Sequence, residues 1–311
     1  MVGNEAEIEQ LVLAMTQQFS LKTLKGSLSK WNRRRKVNSL IGRWFRKRKL
    51  NRILGRVTVA TQKAFDAQSE VSLDDVKAVL RGLTPHESTV PLIRIGPDFD
   101  GGYLLPDDLK DISALFSPGV SETLGFDLEF AKRGINCFLA DASIDVPKNL
   151  LPNMQFQQKY IGPKNTSEFM TLESWVDESV SPGDDLVLQM DIEGAEYSVL
   201  QNLADDTLAK FRILLIEFHQ LHHVFLPEKH ALYKDVFAKL LRTHKICHIH
   251  ANNAESYVCV SGLTIPPIIE LTLLRNDRFT GSGEPARIPH PLDQPNVAHY
   301  PDAPTPHFWT V

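Results

Sequence analysis

The chain has 311 residues, 42% of them hydrophobic, which is enough for one large domain with additions or for two smaller ones. Its three cysteines, Cys137, Cys247 and Cys259, are too few and too scattered for a disulfide framework or a zinc knuckle, and no apolar run approaches the ~20 residues that span a bilayer. A net charge of −4 conceals an asymmetry: residues 21–56 hold 14 Lys and Arg and no acid, leaving 20 basic against 38 acidic residues elsewhere.

Residues 1–90 read as a helical N-terminal region. Ile8, Leu11, Val12 and Met15 recur at helical spacing, and in the basic arm 21–56 Val37, Leu40, Ile41, Trp44 and Phe45 form one apolar stripe among arginines and lysines. A basic amphipathic helix carrying Trp and Phe suits an anionic membrane surface; nucleic acid is the second partner the charges would answer, and docking on an acidic protein face is the plainer alternative. The acidic N-terminus lacks the order of a secretory signal, so the expected location is cytoplasmic, peripheral to a membrane through the arm. Ser72 with Asp75 resembles a capping box ahead of a helical face of Val76, Val79, Leu80 and Leu83, and Thr84–Pro91 breaks that pattern.

From residue 91 strands and helices alternate. Strands are expected at Ala114–Phe116, Cys137–Ala140, Met154–Tyr160, Leu186–Met190, Arg212–Glu217, Ile246–His250, Tyr257–Ser261 and Ile268–Leu274. Helices are expected at Leu124–Arg133, Ser167–Val176, Tyr197–Leu203 and Lys229–Thr243. The alternation predicts an α/β fold, a doubly wound, mostly parallel sheet, and the closing strands, with no helix between them, predict an antiparallel edge. This domain spans 91–278, and residues 279–311, with seven of the 19 prolines, read as an irregular tail.

Two stretches carry chemistry. Phe116–Asp127 turns a strand into a helix through Gly119, and Asp141 ends the next strand about 20 residues on, the spacing of a nucleoside-binding crevice in which an acid meets ribose hydroxyls. The turn lacks G-x-G-x-x-G, which favours a nucleoside without phosphates over a dinucleotide. The apolar run Leu186–Met190 then delivers Asp191, Glu193 and Glu196 into a turn at Gly194, at a strand end where α/β sheets bind ligands. Glu196 reads equally as a helix-capping acid.

MDIEGAEYSVL followed by ILLIEFH, together with RIGPDFDGGY at Arg94–Tyr103, resembles the FkbM family of class I S-adenosylmethionine-dependent methyltransferases over roughly residues 92–275. The resemblance implies a seven-stranded Rossmann-like sheet that binds S-adenosylmethionine and O-methylates a saccharide or other small hydroxyl. Gly119 and Ser121 would face the cofactor's amino-acid end, Asp141 its ribose, and Tyr160 and Ile161 its adenine; Tyr103 is a candidate for lining the same pocket.

Methyl transfer to a hydroxyl needs a base and alignment, and a divalent metal can assist both. Asp191 and Glu217 end strands expected to be neighbours, near His219, His222, His223, His248, His250 and Asn252. Carboxylates with one imidazole suit magnesium, manganese or iron, and the reading takes Asp191, Glu217 and His250 as metal ligands, with Glu193 or His219 as base. His222 and His223 read as structural. Two alternatives stay open: methylation of a lipid, polyketide or protein acceptor, and a non-catalytic glycan-binding module on a methyltransferase-like fold.

Overall fold

A computed structural model describes residues 71–310 apart from Glu122 and Ser261. The expected helix over 5–19 and the basic arm 21–56 lie outside the described residues. Among those described, no helix is long and apolar enough to cross a membrane.

Helix α1 (Leu73–Arg81) begins as its sequence dictates: the Ser72 hydroxyl accepts from the Asp75 amide at 3.1 Å, and Val76 and Leu80 on its inner face are fully buried. An antiparallel hairpin follows, β1 (Leu92–Ile95) and β2 (Tyr103–Pro106), joined by a turn that contains Asp-Gly-Gly. Phe99 and Gly101 in that turn adopt positive φ.

The main sheet has seven strands. They are β3 (Ala114–Pro118), β4 (Asn136–Ala140), β5 (Met154–Gln157), β8 (Leu186–Met190), β9 (Phe211–Phe218), β10 (His244–Ala251) and β13 (Ile269–Arg275), in spatial order β5-β4-β3-β8-β9-β13-β10. From β5 to β9 neighbours are parallel, whereas β13 runs antiparallel to both β9 and β10. The expected antiparallel edge is therefore an inserted strand one position in from the edge. β10 follows β9 through a helix and so regains the parallel direction, and β13 returns between them.

Three further expectations shift. The Met154–Tyr160 strand breaks after Gln157, and Tyr160–Ile161 (β6) pairs instead with Phe169–Met170 (β7) in a separate ribbon. The helix expected from Ser167 starts only at Leu172 (α3, Leu172–Ser179), because the Thr171 hydroxyl caps the Ser174 amide there and β7 occupies the preceding residues. Val258–Val260 (β11) pairs with Leu263–Ile265 (β12) outside the main sheet.

Helices α2 (Gly125–Lys132), α4 (Glu196–Asn202), α5 (Asp205–Leu208) and α6 (Pro227–Thr243) complete the chain, with 3-10 turns at Leu221–Phe225 and His307–Trp309. Two cores form. One joins Phe116, Leu188 and Ile216 of the sheet to α1, α3, α4 and α6; the other joins Leu115, Val187 and Leu215 to α2 and the β1–β2 hairpin. Strand alternation thus gives each face its own packing, and the second face carries a row of buried polar residues near the strands' carboxyl ends: Ser117, Gln189, Glu217, Glu270 and His250. The order reverses at β3, flanked by β4 and β8, which places a ligand crevice beyond the ends of β3 and β8.

Candidate active site

The donor side is built from the ends of β3, β4 and β5. Gly119 follows β3 with φ +88, and its amide donates to the Ala140 carbonyl at 2.9 Å. A Cβ at this position would lie 1.6 Å from the Asp191 carbonyl oxygen. The glycine is therefore required by contact with the turn after β8, an approach of backbone to backbone that the sequence reading had assigned to a ligand. Asp141 ends β4 half-buried, with one carboxylate oxygen accepting from the Ser143 amide at 2.6 Å. Ser121 is exposed, its hydroxyl accepting from the Thr123 amide. Tyr160 is 41% exposed beside Phe169, while Ile161 is buried in the larger core and faces no crevice.

The acceptor side is the turn after β8 and the end of β9. Glu193 adopts φ +58, uncommon for a residue with a side chain, and Gly194 φ +106. Glu196 is fully buried and holds this turn from within: its Oε1 accepts from the Ile192 amide at 3.2 Å and the Gly194 amide at 3.0 Å, and meets His219 Nδ1 at 3.1 Å. Its role is broader than that of a helix-capping acid. His219 Nε2 then stands 3.5 Å from Glu217 Oε1, 3.8 Å from Asp191 Oδ1 and 3.8 Å from Glu193 Oε2. Ligand atoms of Asp191, Glu217 and His219 all lie within 4.8 Å of one another, and Asp191 Oδ1 is buried with no hydrogen-bond partner.

Crowding of acids sets the electrostatics. Burial pushes the Asp191 carboxyl up to about 7; His219 opposes the shift, and Glu193 and Glu196 add to it. Burial, then Asp191 and Glu270, raise Glu217 well above the usual carboxylate range. Burial alone would lower His219, but its bond to Glu196 and the surrounding acids raise it.

His250 does not join this group. Glu270 lies opposite Glu217 on β13, and His250 lies opposite Glu270 on β10, so two strand spacings, about 10 Å, separate His250 from Glu217. Its ring nitrogens are engaged there, Nδ1 facing Glu270 Oε2 at 3.5 Å and Nε2 meeting Asp302 Oδ1 at 3.1 Å. His248 pairs with Asp293 at 2.8 Å, and His222 and His223 lie on the 3-10 turn, where burial draws His222 down to about 4. Asn252 does reach the site, donating to Glu217 Oε1 at 3.3 Å.

Sequence reasoning missed a buried chain beside these residues. Ser117 donates to Gln189 Oε1 at 2.8 Å, and Gln189 Nε2 donates to the Tyr103 hydroxyl at 3.3 Å. The signal was present in ALFSP and LVLQM, two otherwise apolar strands that each carry one polar side chain in need of a partner.

Residues 136–243 match the methyltransferase FkbM domain. The FkbM match, roughly a third of the 311 residues, takes in Asp141, Asp191, Glu193, Glu196, Glu217 and His219; Gly119 and Ser121 precede it, and β10, β13 and the tail follow it. It supports a methyltransferase and bears out the resemblance read from the MDIEGAE and EFH stretches. No curated protein matches the chain significantly.

Proposed function

We propose that the protein is an S-adenosylmethionine-dependent O-methyltransferase acting on a hydroxyl of a saccharide or glycan. The observation that carries this reading is the contact of Gly119 with the Asp191 carbonyl, which sets the nucleoside-type crevice of β3 and β4 directly against the carboxylates after β8. The residues present fit the cofactor: the half-buried Asp141 carboxylate at the second strand end would accept from ribose hydroxyls, the exposed Ser121 beside the Gly119 turn would meet the amino-acid end, and Tyr160 would flank the adenine, with Ile161 buried in the core next to it. When bound, S-adenosylmethionine supplies an electrophilic methyl on a sulfonium, and an acidic crevice favours that positive charge.

Glu193, with a side chain 58% exposed, or His219 would take the acceptor hydroxyl's proton. Transfer of that methyl to the acceptor oxygen would leave a methyl ether and S-adenosylhomocysteine, with the hydroxyl's proton on the protein base. A divalent cation beside the hydroxyl would lower its pKa, and the residues able to hold one are Asp191, Glu217 and His219. The basic arm would bring the enzyme to a membrane-associated glycan from the cytoplasmic side.

The test is release of S-adenosylhomocysteine by the full chain with a panel of monosaccharides and methyl glycosides. Saccharide-stimulated release is expected, and Asp191→Asn should reduce it at least a hundredfold while calorimetric binding of S-adenosylhomocysteine, measured in chelator for both proteins, stays within about threefold. Absence of nucleoside binding by the unmodified chain would end this reading.

A further inference from the structure

We propose that the turn after β8 and the end of β9 form a divalent-cation site in which Asp191, Glu217 and His219 are the ligands and Glu196 is the residue that fixes His219, so that His219 is a ligand and Glu193 alone is the base. The inference deepens the transferase reading and rests on the same site.

The first argument is the imidazole's tautomer. Glu196 is fully buried, and its Oε1 already accepts two backbone amides, so it meets His219 Nδ1 as an acceptor. The Nδ1 hydrogen is thereby committed, and Nε2 is the nitrogen left to face the crevice. A carboxylate that holds one imidazole nitrogen while the other points at a cluster of oxygens is the arrangement that orients metal-bound histidines.

The second argument is the distances. A doubly protonated His219 would draw one carboxylate into a charge-assisted bond of about 2.7–2.9 Å. Instead Nε2 stands 3.5–3.8 Å from three carboxylates and bonds to none, and Asp191 Oδ1 is left buried without a hydrogen-bond partner. Donors on one cation with bonds near 2.2 Å are separated by about 3.1 Å when adjacent and 4.4 Å when opposite. His219 Nε2 stands 3.5 Å from Glu217 Oε1 and 3.8 Å from Asp191 Oδ1, both between those limits.

The third argument is charge. Asp191, Glu193, Glu196, Glu217 and Glu270 converge on this end of the sheet, and His219 is the group that opposes their charge at Asp191. Two carboxylates and one imidazole with open positions suit Mn²⁺ or Fe²⁺, and the open positions leave room for a diol.

Mn²⁺ is the probe. The full chain, stripped with chelator and titrated with MnCl₂, should quench the free six-line electron paramagnetic resonance signal at one ion per chain, and pulsed spectra should show coupling to a single imidazole nitrogen. Glu217→Gln and Asp191→Asn should each weaken binding at least a hundredfold, His219→Gln should remove the nitrogen coupling, and Glu196→Gln should weaken binding 10- to 100-fold. His250→Asn should leave it within twofold. Circular dichroism and melting identify any variant that fails to fold, and the nitrogen coupling in the unmodified chain tests the site without variants. No Mn²⁺ bound at millimolar concentration, or Mn²⁺ bound equally by Glu217→Gln and His219→Gln, overturns the site. Mn²⁺ bound at one ion per chain with no methyl transfer to any saccharide would instead count against the transferase reading and leave the site standing.

Discussion

Asp127, on the inner face of α2, is buried with Oδ1 lacking a hydrogen-bond partner, and burial pushes its carboxyl up to about 6. A carboxyl held above its unfolded value binds its proton more tightly in the native state. Its stabilising protonated form is complete below about pH 4 and is lost as pH rises through 6. Asp127→Asn should flatten this dependence and raise stability at pH 8 by up to about 3 kcal/mol. Urea unfolding at pH 4, 6 and 8 measures it; an unchanged slope between pH 4 and 6 would remove Asp127 as the source. Residues at this scale were unevenly legible. Asp191 and Glu217 announce themselves as acids ending apolar runs. The choice between His219 and His250 depends on which strand lies beside β9, and alternation fixes a residue's face without naming its neighbour.

At the scale of elements, the apolar runs with clear punctuation were read closely. Leu186–Met190 is bounded by Pro-Gly-Asp-Asp before it and acids after it, and α1 carries its own cap. Where two short pairings compete with one long run, as at β6 and β7, local pattern gave a single strand and tertiary contact divided it. The proline-rich tail shows no period, yet it carries Phe308 and Trp309, both packed in the larger core. Trp309 Nε1 donates to the Leu80 carbonyl at 2.8 Å, in the last turn of α1, where that oxygen also accepts from the Leu83 amide at 3.1 Å. Trp309→Ala should cost about 3–5 kcal/mol, and Trp309→Phe, which keeps much of the volume and loses the donor, about 1 kcal/mol, both read from denaturant midpoints. Equal losses for the two would mean that ring volume contributes nothing.

Over the whole molecule, the sheet separates work by face. One face packs on α1, α3, α4 and α6, and the other, which packs on α2, holds the buried polar row from Ser117 to His250, closed over by the β1–β2 hairpin and fastened where Thr272 donates to the Leu104 carbonyl at 2.6 Å. The tail adds Asp293, Asn296 and Asp302 to that row, against His248, Glu270 and His250. Alternation of strands and helices made the α/β class legible, whereas the insertion of β13 inside the edge did not follow from chain order.

The closeness of Gly119 to the Asp191 carbonyl has a thermodynamic meaning. Two turns that share a wall cannot settle independently, so whatever ligand orders one reduces the entropy left for the other to lose. Such linkage is reciprocal: S-adenosylhomocysteine should tighten Mn²⁺ binding by about fivefold or more, and Mn²⁺ should tighten S-adenosylhomocysteine by the same factor. Calorimetry in both orders of addition measures the two factors, and affinities that stay independent would show that the contact transmits nothing. The glycine then works as a joint, through which nucleoside and cation are felt by each other before any acceptor arrives.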